Sequence, residues 1–137
     1  MFQEDGVRFQ YPSNWTLTRE NSDNGWTVAV QSLNSAFFVL TFDAEMPEVG
    51  TVAETVLEAL RADYPGLEAE EAIESILGQP AVGHDIQFFT LDLTNTCVTR
   101  CFYAETGTVL VMWQATDLDI DAMLPVFQAI RASLRID

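Results

Sequence analysis

The chain contains no lysine, and its one histidine is His84. Its six cations are all arginines (Arg8, Arg19, Arg61, Arg100, Arg131, Arg135), set against 21 aspartates and glutamates, so the formal net charge is -15. Six scattered arginines make no basic stripe, which argues against a nucleic-acid partner. A field this negative also repels anionic lipid head groups. A basic surface, or an apolar helix held in a cleft, remains compatible with it. The bland consequence of the charge is a soluble chain that stays a monomer or a small homo-oligomer.

Cysteine is equally scarce, with only Cys97 and Cys101. If Thr96 to Tyr103 is a strand, these two share a face four residues apart, about 13 Å at ~3.3 Å per residue. A disulfide needs roughly 4.4–6.8 Å between Cα atoms, so they cannot bridge each other. A zinc motif needs further ligands at suitable spacing, and His84 alone does not supply them. The two cysteines read as small buried hydrophobes. No apolar run approaches the ~18 residues that cross a bilayer, so membrane insertion is not expected. The opening Met1-Phe2-Gln3-Glu4-Asp5-Gly6 has neither a positive nor an apolar segment. The expectation is therefore no signal peptide and a cytoplasmic location.

What the chain does have is 137 residues, 48% of them hydrophobic and 20% charged. That suits a single domain over residues 1–137 with a core of its own. Val7 to Tyr11 alternates apolar and polar, Trp15 to Arg19 is extended, and Asn21-Ser22-Asp23-Asn24-Gly25 is a hairpin connection. Trp26 to Gln31 alternates again. Ala36 to Phe42 is almost wholly apolar, as in a strand covered on both faces. Thr51 to Asp63 has helical spacing, with Thr51 and Glu54 at capping-box separation, and Tyr64-Pro65-Gly66 ends it. Ala81 to Asp92, Thr96 to Glu105 and Thr108 to Thr116 read as long antiparallel strands, joined by Leu93-Thr94-Asn95 and Thr106-Gly107. Asp119 to Leu134 carries the apolar stripe of a second helix, whose regular part is expected to start near Ala122 because of Pro125. Leu67 to Leu77 fits either helix or strand.

The chemical motifs dissolve on inspection. Asp117, Asp119 and Asp121 begin like a calcium loop, but the glycine and glutamate places hold Ala122 and Gln128. These aspartates suit a helix N-terminus instead. Glu68, Glu70, Glu71 and Glu74 read as a solvated face. His84 and Asp85 are adjacent, so on a strand they point to opposite faces. There is no Gly-x-Gly-x-x-Gly, no P-loop and no Gly-x-Ser-x-Gly. No catalytic, metal-binding or cofactor-binding residue and no cofactor is assigned. Phe88-Phe89 and Val111-Met112-Trp113 differ from simple alternation: each sends bulk to both faces of a sheet, and an uncovered face would be a binding surface.

The start Gly6-Val7-Arg8-Phe9 with Tyr11-Pro12 and Trp15 resembles that of the PsbP-like superfamily. So do Tyr64-Pro65-Gly66-Leu67, Gly78-Gln79-Pro80-Ala81 and the tail Phe127-x-x-Ile130-x-x-Ser133-Leu134. That superfamily includes the extrinsic P subunit of photosystem II, a Ran-binding import factor, DcrB-like proteins and chaperones of type VI secretion effectors. The resemblance implies an α+β fold: an antiparallel sheet of six to seven strands sandwiched by two main helices. It places Leu67 to Leu77 in a strand. It also implies a non-catalytic protein-binding module, such as a chaperone or adaptor, and assigns no binding residue. Two alternatives stand beside it. One is a small hydrolase or ligand-binding enzyme using carboxylates with His84. The other is an envelope or lumenal accessory subunit whose leader has been removed.

Overall fold

Period-two apolar patterns and two-residue turns fold most of the chain into hairpins in the computed structural model, which describes residues 1–136. In chain order the strands are β1 (Phe2–Glu4), β2 (Val7–Phe9), β3 (Thr16–Ser22), β4 (Gly25–Gln31) and β5 (Phe37–Asp43). Helix α1 (Val49–Asp63) follows, then β6 (Glu68–Ile76), β7 (Gln79–Thr90), β8 (Leu93–Tyr103) and β9 (Thr108–Thr116). Helix α2 (Ile120–Ser133) and β10 (Arg135–Ile136) complete the chain. Seven strands form the main sheet in the order β3-β4-β5-β9-β8-β7-β6, and all neighbours are antiparallel. A separate three-stranded sheet joins β1, β2 and β10.

Both faces of the main sheet are dressed, with different partners. On one face Val28, Val30, Phe38, Leu40, Val111 and Phe102 pack with Phe127, Ile130 and Leu134 of the C-terminal region and with Phe9 of the small sheet. Trp113 stacks on Phe38 at 6.2 Å. Each such side chain contributes about 1.5–3 kcal/mol by leaving water. On the other face α1 lies over β7 and β8, burying Leu57 with Ile86, Phe88 and Cys97. Tyr64 stacks on Phe88 at 4.1 Å. The expected sandwich of helices about an antiparallel sheet is present, and Glu68–Ile76 is a strand.

Several local expectations shift. The strand expected from Val7 lies outside the main sheet as β2, because its partners are β1 and the chain's last strand, β10. β5 is not covered on both faces: Phe38, Leu40 and Phe42 are buried, whereas Phe37, Val39 and Thr41 are only half-buried. The cause is position, since α1 sits over β7 and β8 rather than β5. Helix α1 starts at Val49, and Glu48 caps it by accepting the backbone N–H groups of Gly50 and Thr51. The Thr51–Glu54 box is therefore not used, and the Glu54 carboxylate is free for another role. The β7–β8 turn is Leu91-Asp92, two residues before the expected connection, because Thr90 and Leu93 still pair. Helix α2 runs unbroken from Ile120 through Pro125, with Asp119 at its N-cap position.

Candidate functional site

His84 lies mid-strand on β7, opposite Glu71 of β6 and Thr99 of β8. Its backbone N–H donates to Thr99 Oγ1 at 3.0 Å, and the residue is 4% exposed. The face it occupies is the one under α1, where the first half of the helix brings Glu54 to the ring. His84 Nε2 stands 3.3 Å from Glu54 Oε1. Glu71 closes the group, and one ligand atom from each of the three side chains lies within 4.8 Å of the others. His84 Nδ1 is buried without a hydrogen-bond partner among the described residues. The trio opens on a groove of about 450 Å³ whose walls include Glu48, Gly50, Ala53, Ile73 and Val82. No serine, threonine, cysteine or lysine lines this groove. The arrangement can exchange a proton or hold a cation.

The expectation that His84 and Asp85 point apart holds. Asp85 faces the other side and accepts Arg100 Nη2 at 2.8 Å. Arg100 is buried and also donates to the Thr99 carbonyl at 2.8 Å and to Glu74. Arg131 of α2 reaches the second oxygen of the same Glu74 carboxylate. Burial would raise the Glu74 carboxyl, but the hydrogen bonds and charges of Arg131 and Arg100 outweigh it and hold the group below its ordinary value. The four-glutamate run thus divides three ways. Glu68 and Glu70 are solvated as expected, Glu74 ties α2 to the sheet, and Glu71 joins His84.

Among the described residues, Glu54, Glu71 and His84 are the one group of three ionisable ligands close enough to share an ion, so Asp117, Asp119 and Asp121 form no such site. Cys97 and Cys101 are buried free thiols, each pushed up to about 12 by burial, with Glu48 adding to the effect at Cys101.

A second feature sits at the β7–β8 end of the sheet. Phe88 turns inward under α1, while its neighbour Phe89 is 71% exposed on the opposite face. At the tip, Leu91 is 99% exposed and holds φ 52°. Leu118 is 78% exposed in the segment that follows β9, where the Asp117 N–H donates to the Thr94 carbonyl, and Thr94 pairs with Phe89. The left-handed region disfavours leucine, and asparagine or glycine would sit there with less strain. Phe88-Phe89 signalled this patch in the sequence, whereas Leu91 and Leu118 carried no signal because their exposure depends on where the turn falls. Glu54 was missed because the capping-box spacing gave it another role.

The two-layer arrangement of helices about this sheet defines a PsbP-like fold. Cyanobacterial PsbP (CyanoP) from Synechocystis sp. PCC 6803 superposes with a TM-score of 0.69 at 13% identity, over 97% of this chain and 88% of that one. LpqN of Mycobacterium tuberculosis, involved in cell envelope biogenesis, matches at 0.55 and 12% identity over 95% and 82%. PA94 of Pseudomonas aeruginosa, a protein of unknown function, matches at 0.51 and 15% identity over 93% and 80%. No family model and no curated protein matches the sequence. These identities establish a shared fold. Among the described residues no helix is long and apolar enough to cross a membrane.

Proposed function

We propose that this chain is a non-catalytic protein-binding module, a cytoplasmic adaptor or chaperone, that grips its partner at the β7–β8 end of the sheet. The observation that carries the reading is Leu91. An apolar side chain wholly in solvent, held at a positive φ, opposes stability twice. Such a residue makes sense where something else buries it. Met46 and Leu77 share that φ but are less exposed. Phe89 and Leu118 are further exposed apolar side chains at the same end of the sheet, and the exposed Asp92 and Asp117 adjoin Leu91 and Leu118 in sequence. The matching partner is an apolar helix flanked by arginine or lysine. Association is steered by a charge of -15 and completed by apolar burial.

A photo-crosslinking amino acid placed at position 89 in the native host tests this. The expected outcome is one dominant adduct that weakens with salt and disappears when Leu91→Ser and Leu118→Ser are added. The same probe at Thr18, on β3 at the far edge of the sheet, gives none. Equal labelling from positions 89 and 18 would sink the reading.

A further inference from the structure

We propose that Glu54, Glu71 and His84 form a binding site for a zinc-class divalent cation, separate from the β7–β8 patch. The ligands come from α1, β6 and β7, so the site exists only in the folded chain. Three features point to a cation. First, the almost fully buried His84 turns Nε2 to the Glu54 carboxylate at 3.3 Å, so a nitrogen donor and an oxygen donor already face one another on the groove. Second, zinc bonds of about 2.0–2.2 Å place tetrahedral ligand atoms roughly 3.3–3.6 Å apart. The Nε2–Oε1 separation already has that value, and a carboxylate oxygen of Glu71, exposed on β6, lies within 4.8 Å of a ligand atom of each. Third, two carboxylates meet near one another with no arginine in the groove to offset them. A dication neutralises that repulsion, and the strongly negative surface concentrates cations around it.

The donor set selects the metal. An imidazole nitrogen suits zinc and its transition-metal neighbours, whereas magnesium and calcium prefer oxygen alone. Coordination must run through Nε2, because Nδ1 is enclosed. The fourth position opens to the groove and takes water. With the ring proton then on Nδ1 and no acceptor there, affinity falls roughly 10–100-fold below that of a site with such support.

Calorimetric titration of the EDTA-treated full chain with zinc, in excess magnesium, tests the site. One zinc per chain is expected. Glu54→Gln and Glu71→Gln should each weaken binding roughly tenfold or more, while Glu68→Gln and Glu70→Gln leave it unchanged. His84→Asn should abolish it. If that variant fails to fold, the two glutamine variants, exposed in the structure, carry the test. Cobalt substitution should give visible bands that Glu54→Gln, Glu71→Gln and His84→Asn weaken or remove. The absence of zinc binding, zinc binding that Glu54→Gln, Glu71→Gln and His84→Asn all leave intact, or binding that magnesium abolishes in the unmodified chain, would overturn the proposal.

Discussion

Glu74 offers the sharpest test of how the sheet and α2 are joined. Its carboxylate receives Arg100 on one oxygen and Arg131 on the other. The Arg100 side chain is 8% exposed, so Glu74→Ala removes a charge-assisted bond from a buried guanidinium, which costs about 1.5–3 kcal/mol. The Arg131 arm is between side chains that are each 30% exposed and adds at most about 1 kcal/mol. The sum is about 2–4 kcal/mol, or a drop in Tm of roughly 8–16 °C for a domain of this size. Arg131→Ala should cost only about 1 kcal/mol, because Arg100 keeps both of its acids. The folded Glu74 carboxyl titrates below its ordinary value, so its contribution is complete above a pH of about 4.5 and is lost as pH falls through the folded value. Urea unfolding at a series of pH values measures this. The gap between Glu74→Ala and the parent should be widest near neutrality and should close in acid. A gap below about 0.5 kcal/mol at neutral pH, or one that grows in acid, would refute the reasoning.

Two adjacent phenylalanines should behave oppositely. Phe88→Ala, which opens a hole under α1 and loses the ring against Tyr64, should cost about 3–5 kcal/mol, whereas Phe89→Ala should stay within about 0.5 kcal/mol in thermal unfolding. The thiols of Cys97 and Cys101, raised to about 12 by burial, should resist a disulfide reagent at pH 8 in the native protein and react at once in urea.

Periodicity within one element was enough to read α1, β4, β9 and the apolar stripe of α2, because side chains at spacings of two or 3.6 residues report on a single face. It also placed His84 and Asp85 on opposite faces and kept Cys97 and Cys101 apart, since both statements concern neighbours on one strand. Turn positions were less legible. Thr90 and Leu93 continue the β7–β8 ladder because the strands have more to gain by pairing than the Leu91 backbone loses by turning. The helix cap moved from Thr51 to Glu48 because a longer side chain can still bend back to the first free N–H groups.

Tertiary structure alone decided which distant residues meet. Nothing near Val7 announces that its strand will pair with Ile136 at the far end of the chain. Nothing in the run of glutamates says that Glu74 will join two arginines while Glu71, three residues before it, turns to His84. A sequence encodes the preference of each segment for a face. Which faces come together depends on strand order and on which face each helix covers, and those are settled by packing across the whole molecule.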